Sequence, residues 1–180
     1  MFKKLRKIYR SLYRRFVDPE KYARKIGVNF RGKVHLYGHT QWGTEPWIIT
    51  IGDNVYLTAG AKFITHDGGT LLFRDRVPDL EITKPIVVGN NVYFGNDVTV
   101  LPGVTIGNNV IIGYGSIVTK DIPDNSVAAG VPARVIKSMD EYFEKIQKES
   151  LHLGHLKGEE KDIALRKHFG YSGDTKGIYF

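Results

Sequence analysis

The stretch from Val88 to Pro123 repeats with a period of six residues. A branched or aromatic apolar residue opens each of six successive hexads, and a small or branched residue follows four positions later. The first set is Val88, Phe94, Val100, Ile106, Ile112 and Val118, and the second is Val92, Val98, Val104, Val110, Ser116 and Ile122. This period fits neither an amphipathic helix nor one long strand. It predicts short strands joined by corners and wound into a coil, with the repeated side chains stacked inside.

The residues between the short strands favour tight turns. Gly89-Asn90-Asn91 and Gly107-Asn108-Asn109 occupy equivalent places in the repeat. Gly and Asn tolerate turn dihedrals that branched residues resist, so these triplets are predicted to form corners of the coil. The predicted core is therefore all-β and built from stacked turns of parallel strands.

This repeat resembles the hexapeptide-repeat acyltransferases. The segment GSIVTKDIPDNSVAAGVPARVI, from Gly115 to Ile136, is similar to the end of the repeat domain in the maltose, galactoside and capsular-polysaccharide O-acetyltransferases. The resemblance covers roughly residues 26–137. It implies a left-handed parallel β-helix, a homotrimer with its sites in the clefts between subunits, and acetyl-CoA as the acyl donor.

The chain divides into a β-helix with helical appendages at both ends. We predict basic N-terminal helices over 1–27, a β-helix acyltransferase domain over 28–137, and a helical tail over 138–180. The period breaks after His66 and returns at Val88, which predicts an inserted loop at 67–87. Short helices are expected from the Asp18-Pro19 cap to Gly27, over 140–150 and over 160–169.

The N-terminal segment carries most of the positive charge. Residues 1–25 hold ten Lys and Arg against two acids, and the whole chain has a net charge of +7, so the rest is close to neutral. Apolar residues at helical spacing within 1–16 predict an amphipathic helix, too short in apolar sequence to span a membrane. It either lies on the inner face of the cytoplasmic membrane or packs on this protein or a neighbouring subunit. No recognisable module accompanies the basic patch, so nucleic acid is not expected as a partner.

His66 is the candidate catalytic base, because the resemblance places the family's catalytic histidine at this break in the period. A neutral imidazole can take the acceptor's hydroxyl proton and return it to the leaving thiolate. Asp67 could orient the ring or contact substrate, but it equally suits the turn with Gly68 and Gly69, which is the favoured interpretation. Another carboxylate or a main-chain carbonyl would then hold the imidazole.

The resemblance also assigns the oxyanion and acyl contacts. The main-chain N–H of Asn96 is expected to stabilise the oxyanion, and the small Gly95 to let the thioester approach the backbone. Many relatives have Trp where this chain has Tyr93, so the wall beside the acyl group is expected to differ. Arg74, in the inserted loop, is a further candidate for acceptor binding. Trp42 and Trp47 either offer a stacking surface for a sugar or pack beneath the first turn.

The coenzyme contacts follow from the same likeness. Gly113, Tyr114 and Gly115 are expected to line the path of the pantetheine arm. Thr119, Lys120, Arg134 and Lys137 are expected at the nucleotide end, where Lys and Arg suit phosphate oxygens.

Other functions of this fold remain as alternatives. A carbonic anhydrase of the γ type is rejected because no histidine lies between Val88 and Lys137, so no metal is expected. A non-catalytic scaffold and an N-acetyltransferase acting on a nucleotide-linked sugar stay open. The resemblance therefore implies a cytoplasmic, acetyl-CoA-dependent O-acetyltransferase acting on a sugar or surface-polysaccharide precursor.

Overall fold

The computed structural model describes residues 18–171. The amphipathic helix expected over 1–16 and the last residues of the tail, 172–180, lie outside them. The described residues fall into two compact units, which meet in sequence between Asp140 and Glu141.

The first unit consists of short strands in three sheets. The strands are Asn29–Phe30 (β1), Val34–Leu36 (β2), Ile49–Ile51 (β3), Val55–Leu57 (β4), Lys62–Phe63 (β5), Ile86–Val88 (β6), Val92–Phe94 (β7), Thr99–Val100 (β8), Thr105–Ile106 (β9), Val110–Ile112 (β10), Ile117–Val118 (β11), Ser126–Gly130 (β12) and Ala133–Ser138 (β13). Sheet A has the order β1-β3-β6-β9, sheet B the order β13-β12-β10-β7-β4-β2, and sheet C the order β11-β8-β5. Every pairing is parallel except that of β12 with β13.

From β3 to β11, successive strands of the chain visit sheets A, B and C in turn. Val88 pairs with Ile106, Val92 with Val110, and Thr99 with Ile117, so each turn of the coil consumes three hexads. The hexad residues named above are all buried, including Ser116. This arrangement confirms the predicted left-handed parallel β-helix. We number its turns as coil 1 (β1, β2), coil 2 (β3–β5), coil 3 (β6–β8) and coil 4 (β9–β11).

The corner between sheets A and B is held by a ladder of asparagine side chains. Nδ2 of Asn54 donates to Asn91, Asn91 to Asn109, and Asn109 to Asn125, over 2.8–3.1 Å. Each of these four residues has a φ of 53–56°. Asn tolerates this left-handed conformation, and its amide can donate to one coil and accept from another. The Gly-Asn-Asn corners predicted from the sequence are confirmed, and their second Asn has this additional bonding role.

The inserted loop is closed at its base by main-chain hydrogen bonds. Asp67 N donates to Ile82 O, and Lys84 N donates to Thr65 O, each over 2.9 Å. A 3₁₀ helix occupies Gly68–Phe73. The hexads predict that the β-helix resumes at Val88. In the structure it resumes two residues earlier, at Ile86, because β6 pairs with β3 from that residue.

Three α-helices lie outside the coils in the described residues. Helix α1, Pro19–Lys25, is capped by Asp18, whose Oδ1 accepts from Lys21 N over 2.9 Å, and Gly27 follows with a φ of 108°. Helices α2, Met139–Glu149, and α3, Gly158–His168, lie within two residues of their expected bounds. No helix in the range 18–171 is long and apolar enough to cross a membrane.

Candidate active site

His66 lies where the chain leaves sheet C in coil 2 and enters the inserted loop. We call this edge of the prism the CA corner; Thr119 and Lys120 follow β11 at the same corner of coil 4. The corner between sheets B and C is the BC corner, formed by Gly95–Asp97 in coil 3 and Gly113–Gly115 in coil 4. The candidate residues are thus distributed over the two corners that flank sheet C.

The imidazole of His66 is held by Glu45. Oε2 of Glu45 lies 3.1 Å from Nδ1 of His66, and Oγ1 of Thr44 lies 3.1 Å from the same nitrogen. Thr44 donates to Oε1 of the carboxylate over 2.6 Å, and Thr65 donates to Oε2 over 2.5 Å. Because a carboxylate only accepts, this arrangement favours the tautomer with the proton on Nδ1.

The electrostatics of Glu45 favour its charged form. Burial raises the pKa of the Glu45 carboxyl, but hydrogen bonds from Thr44, Thr65 and His66, with the charge of His66, outweigh burial and hold that pKa below its usual value. No residue of the described chain hydrogen-bonds Nε2 of His66. The imidazole therefore has one nitrogen fixed by an anion and the other available as a base.

His66 opens into a cavity of about 390 Å³ beneath the inserted loop. Its lining comprises Thr44, Glu45, His66, Asp67, Gly68, Thr70, Leu71, Arg74 and Glu81. Arg74 pairs with Glu81 over 2.8 Å and donates to the Leu80 carbonyl over 3.2 Å. Oδ1 of Asp67 accepts from Gly69 N over 2.8 Å. Asp67 therefore forms the favoured turn, and Glu45, rather than Asp67, orients the ring.

Glu45 was not identified by name from the sequence, although a usable signal exists. Glu45 precedes His66 by 21 residues, and the same offset relates the paired residues Val34 and Val55, and Gln41 and Lys62. The pair therefore stacks one coil apart at the CA corner. Finding it requires the register of the irregular first coil, where the hexads are hard to recognise.

Asn96 and Gly95 lie at the BC corner, away from His66. The main-chain N–H of Asn96 has no hydrogen-bond acceptor within the described chain. The two corners are separated by the width of sheet C, roughly 17 Å for five extended residues at about 3.3 Å each. One chain therefore does not bring Asn96 and His66 to the same acetyl group.

Glycine is required at position 95 by the stacking of the coils, in addition to the expected approach of the thioester. A Cβ added at Gly95 would lie 2.6 Å from N of Tyr114 in the next coil. Close stacking of coils 3 and 4 therefore requires glycine here, whatever approaches from outside. Tyr93, two residues earlier, is 44% exposed on the outer face of sheet B.

The candidate coenzyme residues are accessible. Tyr114 is 74% exposed, and a Cβ built on Gly115 would meet nothing within 4 Å, whereas one on Gly113 would lie 2.9 Å from Cβ of Ala129. Thr119 and Lys120 are exposed at the CA corner of coil 4. Arg134 and Lys137 lie on β13, where Nη1 of Arg134 donates to the Ala133 carbonyl over 2.9 Å. Open space beside Gly115 and three cations without an ion pair in residues 18–171 suit an arm ending in phosphates.

The two tryptophans have separate environments. Trp42 is 5% exposed, stacks on Phe63 at 5.1 Å between ring centroids and meets Phe30 edge-on at 5.6 Å. Trp47 is 65% exposed. The two rings therefore do not form a shared stacking surface, and Trp42 packs within the first coils. Across residues 18–171, no three His, Asp or Glu side chains are grouped to hold a metal ion.

Comparison with known proteins gives matches along most of the chain. Residues 85–120 match the family model described as bacterial transferase hexapeptide (six repeats). Protein CapG of Staphylococcus aureus is 41% identical over 167 residues, which cover 92% of this chain and 96% of that protein. The galactoside O-acetyltransferase of Escherichia coli K12 is 43% identical over 130 residues, 69% of this chain and 61% of the relative.

A solved structure supports the same comparison. The structure of a galactoside acetyltransferase in complex with coenzyme A superposes with a TM-score of 0.54 at 32% identity. The match covers 87% of this chain and 88% of that one. The likeness therefore extends through the repeats into both flanking regions.

Proposed function

The chain belongs to the bacterial hexapeptide-repeat transferase family, and from this membership we propose that it is an acetyl-CoA-dependent O-acetyltransferase acting on a sugar or surface-polysaccharide precursor. The observation that carries the proposal is the Glu45–His66 pair, with Nε2 of His66 unbonded in a cavity beneath the inserted loop. This combination of a fixed, available base and a coenzyme-binding family fits acyl transfer better than a scaffold does.

His66 acts as general base in this proposal. Its Nε2 takes the proton of the acceptor hydroxyl as the oxygen attacks the acetyl carbonyl, and the same proton passes to the departing thiolate sulfur. Glu45 keeps Nδ1 protonated and stabilises the imidazolium that forms. Its lowered pKa keeps the carboxylate ionised at neutral pH, so the pair is ready before substrate binds.

Asn96 supplies the oxyanion contact from a neighbouring subunit. Its main-chain N–H is unengaged, and it lies at a different corner from His66. A homotrimer in which the CA corner of one chain faces the BC corner of the next would bring the two groups to one acetyl carbonyl. Gly113, Tyr114 and Gly115 would then line the pantetheine arm, and Tyr93 the acyl group.

The phosphates of the coenzyme are assigned to Lys120, Arg134 and Lys137, with Thr119 beside them. These cations are accessible, and charge-assisted hydrogen bonds to phosphate are among the stronger polar contacts. Asp67 and Arg74 face the acceptor from the cavity lining. Because cytoplasmic acetyl-CoA is the donor, we place the reaction in the cytoplasm, and we assign to residues 1–16 a contact with the inner membrane face.

The test is release of coenzyme thiol from acetyl-CoA with a panel of sugars and nucleotide sugars as acceptors. His66→Ala should abolish thiol release while leaving the affinity for acetyl-CoA within about twofold. His155→Ala, which changes an exposed histidine, serves as the matched control. Retained turnover in His66→Ala would exclude the base, and absence of acetyl-CoA binding by calorimetry would favour a scaffold.

The product distinguishes O-acetylation from N-acetylation on a nucleotide-linked sugar. An acetyl ester is cleaved by mild alkali, whereas an acetamide survives it. Mass spectrometry of the product before and after alkali should show loss of the acetyl group. Survival of the group would assign the enzyme to amine acceptors.

A further inference from the structure

The outer face of sheet B carries a stripe of aromatic side chains, which comprises His35, Tyr37, Tyr56 and Tyr93. His35, Tyr56 and Tyr93 are paired in register across three neighbouring strands, and each lies at the outward-facing middle position of its strand. Tyr37 directly follows β2. The stripe therefore runs parallel to the axis of the β-helix, over coils 1 to 3.

The rings are aligned with one another. His35 and Tyr56 stack with centroids 4.2 Å apart and planes 7° from parallel, and Tyr37 lies 6.4 Å from Tyr56 at 11°. Tyr93 is tilted by 39° at 6.5 Å from Tyr56. Stacking within the row leaves ring edges and hydroxyl groups outward, and Tyr37 and Tyr93 keep 65% and 44% of their surface exposed.

The stripe combines apolar rings with unengaged phenol groups. The hydroxyls of Tyr37, Tyr56 and Tyr93 have no hydrogen-bond partner among residues 18–171, and Ile111 continues the row beyond Tyr93. Within coils 1 to 4 no carboxylate, lysine or arginine stands in this register, and the row reaches a charged residue only at Lys137 on β13. Such a surface suits sugars, because its outward ring edges offer apolar contact to C–H groups while its phenols hydrogen-bond sugar hydroxyls.

The stripe also has a fixed place relative to the proposed reaction. Tyr93 lies three residues before Asn96, the proposed oxyanion contact. The proposed coenzyme residues, Gly113–Gly115 and Lys120, belong to coil 4, on the C-terminal side of that point. The stripe extends from the same point in the opposite direction, so donor and acceptor would approach along one axis from opposite ends.

We propose that the aromatic stripe binds an extended glycan chain and positions one of its sugar residues at the reaction centre. This inference rests on the proposed function and deepens it, since it makes the acceptor an oligosaccharide or polysaccharide. The stripe spans two strand spacings, about 10 Å, which exceeds a single sugar ring. A longer acceptor should therefore gain contacts that a monosaccharide cannot make.

The test compares galactose, glucose and N-acetylglucosamine with their linear β-linked tetrasaccharides, by calorimetry. At least one tetrasaccharide should bind about tenfold more tightly than its monosaccharide. Tyr37→Ala should remove that advantage and leave monosaccharide binding unchanged. Phe143→Ala, an exposed ring on α2 outside the β-helix, should behave as wild type.

Equal affinity of every tetrasaccharide and its monosaccharide, or an unaltered advantage in Tyr37→Ala, would overturn the proposal. Thermal unfolding of Tyr37→Ala checks that the variant is folded. Sedimentation tests the other occupant, a second copy of this chain: dissociation of the wild-type oligomer in Tyr37→Ala alone would make the stripe a subunit contact and overturn glycan binding. Thiol release with any sugar acceptor reports on the proposed function separately, and it should persist where only the stripe has been wrongly assigned.

Discussion

The carboxylate of Glu45 lies 3.1 Å from Nδ1 of His66, one turn of the β-helix away from it. The contact joins the loop that precedes coil 2 to the residue at which the inserted loop begins. Thr44 and Thr65 donate to the same carboxylate, so its position is fixed from both coils. The imidazole is therefore oriented by the packing of successive coils rather than by its sequence neighbours.

Replacing Glu45 by Gln should lower kcat by about tenfold or more, with KM for acetyl-CoA within about twofold. The amide is similar in shape, but it lacks the charge that stabilises imidazolium, and its NH2 group can donate to Nδ1 and select the other tautomer. Steady-state thiol release measures both constants. Glu149→Gln, an exposed acid paired with Lys145, is the control. An unchanged kcat would show that Glu45 has no part in orienting the base.

The stability of the protein should depend on pH through the same carboxylate. The pKa of Glu45 is lower in the folded chain than in the unfolded chain. The ionised carboxylate therefore stabilises the fold at pH values above the pKa that this group has in the unfolded chain. That contribution is lost as the pH falls through the pKa of the carboxyl in the folded chain, which lies below its ordinary value. The melting temperature of the wild type should be higher than that of Glu45→Gln at pH 7, and this difference should shrink as the pH is lowered. A constant difference across that range would contradict the assignment.

The asparagine ladder should contribute measurably to stability. Asn109→Ala loses the hydrogen bonds to Asn91 and Asn125. It also places Ala, which adopts the left-handed conformation less readily than Asn, at a φ of 54°. We expect a loss of about 1–3 kcal/mol in the free energy of unfolding. Asn109→Gly removes the same bonds without the conformational cost, so it should be less damaging in denaturant titrations. Equal losses in the two variants would assign the whole effect to the hydrogen bonds.

Lys120→Ala should raise KM for acetyl-CoA by about threefold to tenfold and leave kcat nearly unchanged. The proposed contact is with phosphate, so the effect should vanish with acetyl-pantetheine, which has no phosphate. Lys148→Ala, on α2, provides a surface-charge control. An equal loss with both donors would place Lys120 away from the nucleotide end.

The regular part of the fold could be predicted because each hexad repeats the same spacing of apolar and turn-forming residues. Val88, Phe94 and Val100 are buried because the six-residue period places their side chains inside the coil. Asn91 and Asn109 form the predicted corners. Asp18 and Gly27 delimit the first helix as their types suggest. The start of β6 at Ile86 was missed by two residues, because strand pairing extends beyond the first recognisable hexad.

The candidate site was predictable only in part. His66 stands out because it lies at the break in the repeat, but its partner Glu45 lies in an irregular loop whose register the sequence does not display. The separation of His66 from Asn96 across sheet C is also invisible in the sequence. It follows from the order in which the three sheets are visited, and it makes a neighbouring subunit necessary to the proposed mechanism.

The sequence alone determined the β-helix, its corners and the position of the break, because apolar spacing and turn residues act over six residues at a time. The tertiary structure decided which groups meet: Glu45 with His66, and His35 with Tyr56 and Tyr93. These contacts depend on the offset between coils, which is 21 residues between coils 1 and 2 and 37 residues between coils 2 and 3, where the inserted loop intervenes. That offset is set by how the loops close over the core, and no single hexad encodes it.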